Sequence, residues 1–454
     1  MLQTIINAFK VKEIRRKVYM MLLLLLVFRI GCYIPVPGLS REVFSTLFES
    51  TDGTKVNSYL ALMSGLTGGA LQNGTLFALG IGPYINASII MQLLSVGIPA
   101  LERLSKQGEE GRKKIAQYTR YVTILLALIQ SVGIIVSQAG DVNGVSAIQT
   151  WIFGKEWIAG VFMTIAFTAG ALIVMWIGER ITDYGVGNGQ SMIIFVGILS
   201  TAGLTIRSKI QAIFNPTFLK DTYPNSTPAD IAWELVFFIL VSALIFFAIV
   251  YVDLSERKVP VQYAKQIKGR KMYGGQSSSI PIRISGGGVM PLIFAFSILS
   301  FPQMISSMFW PNSGFDTWYT DWMSAQATGW GRVVYSLVLC LLIFAFSFFY
   351  AQMQFNPEDV SKSIQQNGGF IQGIRPGKAT EAYLKKISNR ITLFGAIYLS
   401  LVAFIPSVAF AGVDYTLVNV FSTTGILIIV SCAMEFEKQL QAQLMMKNYK
   451  GFLK

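Results

Sequence analysis

The run VYMMLLLLLVFRIGCYIPVPG (Val18–Gly38) follows a basic stretch from Lys10 to Lys17, the order found in a secretory signal peptide. It is too long for one, contains Arg29, and ends in Ile34-Pro35-Val36-Pro37-Gly38 rather than at a small-residue cleavage site. It therefore reads as a retained first membrane helix. At about 1.5 Å rise per residue, roughly 20 apolar residues cross a hydrocarbon core of about 30 Å.

The rest of the chain repeats this pattern. Hydropathy, punctuated by Gly/Pro and charge clusters, predicts ten spans at about 18–36, 75–96, 119–138, 157–178, 189–206, 231–252, 288–309, 332–353, 391–411 and 415–434. The 454 residues are 53% hydrophobic and only 13% charged, with a mean hydropathy of +0.52. A soluble globular chain carries about 25% charged residues. The expected class is an all-α membrane protein, countable in spans rather than in soluble domains.

The formal net charge of +13 is mainly topological. With the N-terminus in the cytoplasm, 29 of the 37 Lys and Arg fall on the inside and seven outside, leaving Arg29 within the first span. This is the positive-inside asymmetry, and it predicts cytoplasmic N- and C-termini. Two inside loops exceed what orientation needs. Residues 253–284 carry Arg257, Lys258, Lys265, Lys268, Arg270, Lys271 and Arg283. There Val259, Val261 and Tyr263 alternate, with turn signals at Gly269 and Gly274-Gly275, a hairpin pattern. Residues 356–390 carry the turn-rich Gly373-Ile374-Arg375-Pro376-Gly377. A docking surface for a soluble partner is the preferred reading over loops that only set topology.

Catalytic chemistry is missing. There is no histidine, which removes Ser-His-Asp and Cys-His nucleophiles and His-ligated metals. Cys32, Cys340 and Cys432 lie in apolar runs without a CxxC pair and read as reduced small hydrophobes. Gly377-Lys378 imitates the end of a phosphate loop, but Gln372 stands where the first glycine belongs and Ala379 where the magnesium hydroxyl belongs. No cofactor, no metal and no enzyme activity are expected, and any work has to be driven by a partner. Ionisable residues inside spans are also scarce, with Arg29 alone well inside one, which argues against a proton- or sodium-coupled transporter. Arg29 is either an internal anchor or a functional group.

Two local patterns remain. Asn57–Leu66 is apolar but too short to span, and is either a surface helix or a re-entrant half-helix. The second span opens Leu79-Gly80-Ile81-Gly82-Pro83-Tyr84-Ile85-Asn86-Ala87-Ser88-Ile89-Ile90, which places Ile81, Ile85 and Ile89 on one helical face. A similar small-residue, proline, isoleucine order recurs at Gly287-Gly288-Val289-Met290-Pro291-Leu292-Ile293.

With these motifs the chain resembles the SecY family of protein-conducting channels along essentially its whole length. The resemblance is carried by Phe28-Arg29-Ile30-Gly31 with Ile34–Gly38, by Gly68-Gly69-Ala70-Leu71, by Pro83-Tyr84-Ile85 with Ala87-Ser88-Ile89, and by Lys106-Gln107-Gly108-Glu109 with Gln117-Tyr118-Thr119-Arg120-Tyr121. Gly185-Val186-Gly187-Asn188-Gly189, Tyr263-Ala264-Lys265, Phe355-Asn356-Pro357 and Gly373–Gly377 continue it. The number, order and spacing of these motifs make the match specific.

The resemblance implies ten transmembrane helices in two inverted, pseudo-symmetric halves of five, with a short re-entrant plug helix. The N-terminal half would be 1–206 with the plug at about 57–74, the outer hinge loop 207–230, the C-terminal half 231–434 and the cytoplasmic tail 435–454. A pore ring of Ile81, Ile85, Gln190, Ile194, Ile293 and Ile428 is implied, since apolar side chains dewet a narrow passage to ions. Gln190 departs from the usual aliphatic residue: its amide either holds water at the constriction or points away from the axis. The plug would include Asn57, Leu60, Met63, Gly65, Gly68 and Gly69. A lateral gate would involve Asn86, Gln130, Ser297 and Phe301.

The implied function is the central channel subunit of a Sec translocon in the bacterial plasma membrane. It would pass unfolded secretory proteins across and release transmembrane segments sideways into the lipid bilayer. Implied partners are the SecE and SecG subunits, signal peptides and substrate chains, and the SecA ATPase or a ribosome. The last two would dock on Arg257, Lys258, Lys265, Lys268, Arg270, Lys271 and Arg375. The competing readings are a secondary transporter with inverted repeats and a membrane scaffold with basic docking loops.

Overall fold

In a bilayer every backbone N–H and C=O needs an internal partner, and the helix supplies it within one segment. The computed structural model describes residues 2–40, 63–137, 141–142, 145–146, 155–217, 219, 227–263, 266–268, 271–273, 277–284, 290–310, 313–324, 327, 329–409 and 423–451. They are mostly helical: α1 (Leu2–Lys10), α2 (Lys12–Gly31), α3 (Gly82–Gly97), α4 (Pro99–Lys106), α5 (Glu109–Ser137), α6 (Glu156–Tyr184), α7 (Gly189–Phe214) and α8 (Pro228–Asp253) come first. Then follow α9 (Met290–Phe309), α10 (Gly314–Trp322), α11 (Trp330–Gln354), α12 (Pro357–Gln366), α13 (Lys378–Ala409) and α14 (Thr423–Gly451), and between α5 and α6 the short strands β1 (Asp141–Val142) and β2 (Val145–Ser146) pair antiparallel. Among the described residues six helices are long and apolar enough to cross a membrane, or seven if the bent pair α3 and α4 is one span. The chain is a multi-pass membrane protein.

Several helices outrun their predicted apolar cores. α5 begins at Glu109, α13 at Lys378, and α14 continues to Gly451. Hydropathy marks only the lipid-immersed part of a helix, and polar turns extend it into water. At the other end, α7 runs to Phe214, so residues 207–214 of the segment expected as an outer loop are helical. Between α3 and α4 the axis turns by 104°. Pro99 follows Ile98, and the residue before a proline is driven to extended backbone, here φ −107° and ψ 115°.

The first of two compact units comprises 1–239, 297–335 and 412–454. In it α3, α5, α6 and α7 pack in sequence, α2 lies against α6 and α7, and α14 lies against α7 and α1. One buried cluster joins Val36, Leu71, Leu79, Ala127, Ile134, Met163, Phe167 and Met304. The opposite helix faces are apolar and exposed, with Leu26 at 59% and Ile165 at 60%. Faces of that kind are matched by lipid, not water. At the end of α6, Arg180 stacks over Trp176 and Tyr184 with centroid distances of 5.5 and 5.6 Å, an arrangement typical of a membrane–water interface.

The second unit comprises 240–296 and 336–411. Its non-helical part is a three-stranded antiparallel sheet, in the order β6 (Ser277–Arg283), β3 (Glu256–Tyr263), β7 (Gly369–Phe370). Pairing runs from Glu256↔Arg283 to Gln262↔Ser277, with Gln262↔Phe370 on the other side. A short hairpin of β4 (Gln266–Lys268) and β5 (Lys271–Tyr273) continues beyond β3. The alternation at Val259 and Val261 works as expected: both are buried, and with Ile282 they meet Ile364, Ile371 and Leu384. The two basic loops thus form one folded body. The strand-length pattern announced the hairpin, but nothing in it announced β7, which is two residues long.

Candidate functional site

The site is built around the segment that failed to span. Met63–Leu66 forms one helical turn, and Gly68 and Gly69 follow at φ 72° and 83°. The Gly69 N–H donates to Ser64 O at 2.8 Å and the Gly68 N–H to Gly65 O at 3.4 Å. This is a Schellman termination, which needs a left-handed residue at the first non-helical position, the role glycine fills without strain. Of the predicted plug residues, Met63, Gly65, Gly68 and Gly69 lie in this turn, while Asn57 and Leu60 fall outside the described residues.

Carbonyl groups at a helix end have no intrahelical donors. Here the neighbouring spans supply them. Thr201 Oγ1 on α7 donates to Gly65 O at 3.1 Å, the Cys32 thiol lies 3.8 Å from Thr67 O, and Arg29 Nη1 on α2 is 3.4 Å from Gly68 O. Gly197 of α7 lets the turn come close, since a Cβ there would sit 2.2 Å from Leu66 O. Downstream, the Ile34–Gly38 segment holds the other end: Leu76 N–H donates to Ile34 O at 2.8 Å and Val36 N–H to Gly74 O at 3.2 Å. Phe28 and Phe77 stack at 6.0 Å.

Of the six ring positions, five fall in the first unit and Ile293 in the second. Ile81, Ile194 and Ile428 are buried, at 6%, 4% and 5% exposure, and Ile85 is half-buried. Ile81 and Gln190 are brought together over Gly178 of α6, whose added Cβ would lie 3.3 Å from Ile81 Cδ1 and 3.6 Å from Gln190 Cγ. The Gln190 side chain lies near the Tyr84 hydroxyl. Its amide therefore has a polar neighbour on the span that carries Ile81 and Ile85. Arg120 and Glu179 lie in the electrostatic surroundings of Tyr84 and form a two-pronged ion pair, 2.9 Å on each arm, that ties α5 to α6.

At the predicted gate, Gln130 of α5 is buried and its Nε2 donates to Met304 Sδ of α9 at 3.1 Å. Phe301 packs on the cluster that contains Leu79, Ala127 and Met304. Asn86 and Ser297 are half-buried. In the second unit, Arg257, Lys258 and Arg375 are exposed, and Lys258 pairs with Glu256 at 3.4 Å. Lys268 and Lys271 are register partners in the β4–β5 pair, and Lys265 and Arg270 lie outside the described residues. The Arg375 loop is fixed by its backbone: Thr380 Oγ1 donates to Arg375 O and Ser361 Oγ to Gly377 O, both at 2.9 Å. Next to it Gln365, Phe370, Ile374 and Arg375 line an open groove of about 610 Å³.

Sequence reading missed three contacts. Arg120–Glu179 and Gln130–Met304 join residues far apart in the chain. Lys209 is fully buried against Glu234, with Nζ 2.7 Å from Oε2. For the last, the sequence offered only a lysine three residues past the predicted end of a span, in Arg207-Ser208-Lys209. Among the described residues no group of three metal-ligating side chains occurs.

Fold and site together define a multi-pass helical membrane protein with a short turn seated among its spans. The SecY family model matches residues 75–437. The protein translocase subunit SecY of Streptomyces coelicolor is 39% identical over the full length of both chains. A solved structure described as that of a protein-conducting channel superposes with a TM-score of 0.65 at 20% identity, covering 94% of this chain and 92% of the other. A second, with the same TM-score, identity and coverage, is described by the plug domain of SecY stabilising the closed state and maintaining a membrane seal. The chain belongs to the SecY family.

Proposed function

We propose that this chain is the central channel subunit of a Sec translocon, passing unfolded secretory proteins across a membrane and releasing transmembrane segments sideways. The observation that carries this beyond family membership is the 63–74 segment, too short to span and gripped by its backbone carbonyls from α2 and α7. It acts as the plug. An element held through a few polar bonds, each worth about 1 kcal/mol net, is one that a translocating chain can displace. Buried Ile81, Ile194 and Ile428 with half-buried Ile85 suit an ion seal, because they offer no fixed polar partner to a passing peptide. The ten-span, two-half architecture is part of the same reading. So are a bacterial plasma-membrane location and cytoplasmic termini.

Site-specific photo-cross-linking from Ile85, Ile194 and Ile428 to a stalled secretory chain tests the reading. Contacts from all three are expected. A verified stalled chain that reaches none of them would return the choice to transporter or scaffold.

SecE and SecG are proposed as membrane partners, with SecA or a ribosome docking on the body formed by β3, β6, β7, α12 and α13. The Arg375 guanidinium is exposed on a loop whose backbone is fixed, which suits a preorganised contact with an acidic partner. Arg375→Glu is expected to reduce motor-driven export of a secretory substrate about tenfold or more, since a like charge opposes docking. Its own membrane insertion should be unchanged. Equal loss of both would make Arg375 a folding residue.

A further inference from the structure

We propose that Arg29 is the latch of the plug, a positioning residue that holds the closed state by capping the helical turn it terminates. The proposal rests on the plug reading of residues 63–74 and adds the group that governs its release. Arg29 sits within α2, where a charged side chain is costly unless a partner receives it. Its partners are specific. Nη1 faces Gly68 O at 3.4 Å, and Nη2 donates to the Tyr33 hydroxyl at 3.2 Å, with the guanidinium 5.4 Å above the Tyr33 ring.

The direction of the turn makes this placement effective. Met63–Leu66 ends beside Arg29 of α2 and Gly197 of α7, and a helix C-terminus carries partial negative charge. A cation there meets both the Gly68 carbonyl just past the turn and the dipole. Gly68 is matched to the arginine, since a Cβ on it would lie 2.3 Å from Nη1 and 3.3 Å from Gly197 Cα. Tyr33 fixes the guanidinium from the other side, so the arginine is aimed at the turn even though its side chain is long. The neutral contacts, Thr201 to Gly65 O and Cys32 to Thr67 O, complete the grip but carry no charge. Release of the plug must therefore separate Arg29 from Gly68, and the charge-assisted contact sets the cost of opening.

The test uses the assembled channel complex in planar bilayers without substrate. Arg29→Met is expected to raise resting ion conductance about tenfold or more, the weight of a hydrogen bond to a charged group. Arg29→Lys, which keeps the cation, should recover most of the seal. A disulfide between the native Cys32 and Thr67→Cys, introduced into Arg29→Met, should close the leak under oxidation and reopen it on reduction. That result shows that the variant is folded and that the leak is plug release. Arg29→Met sealing as tightly as the wild type, while deletion of 57–74 leaks, overturns the latch but keeps the plug. A deletion that does not leak overturns the plug reading and the latch with it. A leak in Arg29→Met that the formed disulfide leaves unchanged also overturns the latch.

Discussion

Replacing Glu234 with leucine is expected to destabilise the protein by about 3–5 kcal/mol, the typical cost of removing one partner of a buried ion pair. Lys209 is 0% exposed and Glu234 is 25% exposed, so the two partners are not equivalent. Losing the carboxylate takes the ion-pair partner from a fully buried ammonium, whereas Lys209→Met leaves a carboxylate that can still be hydrated. Glu234→Leu should therefore be the more damaging single change. Lys209→Met combined with Glu234→Leu should recover most of the loss, because replacing both charges by apolar groups of similar size removes the desolvation penalty along with the attraction. Thermal unfolding of the purified protein in detergent reads the ranking. A double variant as unstable as Glu234→Leu alone would show that packing, not charge, holds this end.

The position of the pair gives it mechanical weight. Lys209 lies in the final turns of α7 and Glu234 in the first turns of α8. Ala212, Leu219 and Ile231 are buried beside each other close to it in sequence, a small core between the two helix ends. A region expected as a loose connection is thus internally bonded. A residue counted as one more outer positive charge is instead the most deeply buried ion among the described salt bridges.

That reversal shows what the amino-acid string can and cannot reveal. Helices such as α6 and α8 were legible because a lipid-immersed helix must be a continuous apolar run, which is a one-dimensional signal. The β3–β6 hairpin was legible for the same reason, through the period-2 burial of Val259 and Val261. Contacts between helices are different. Gln130 meets Met304 across 174 positions and Arg120 meets Glu179 across 59, and no local pattern encodes which partner each will find. Gln190 is the intermediate case. Its departure from an aliphatic residue was plain in the string, but its approach to Tyr84 depends on how α3 and α7 meet over Gly178. The Arg29 contact was hidden differently: the residue stood out, while its partner is a backbone carbonyl, which every residue possesses.

Tethering Gln130 to Met304 is expected to abolish export almost completely. The pair joins α5 to α9 along the proposed lateral gate, and an amide-to-thioether bond of 3.1 Å is its polar contact. Side-chain hydrogen bonds between membrane helices contribute about 0.5–2 kcal/mol. That is enough to favour a closed seam and little enough for an apolar signal segment to displace. Pro302 lies inside α9, two positions before Met304, and a proline within a helix removes one backbone hydrogen bond. α9 can therefore bend beside the contact without breaking others. A covalent tie removes this freedom while leaving the packing of Leu79, Ala127 and Phe301 largely intact. Cysteines at 130 and 304, joined by a short reducible thiol cross-linker, should bring export of a secretory substrate to background, and reduction should restore it. Because cleavage is measured on the same molecules, misfolding cannot imitate that reversal. Export at the untethered rate from fully cross-linked protein would mean that the seam between α5 and α9 does not open in translocation, and the gate would have to lie elsewhere.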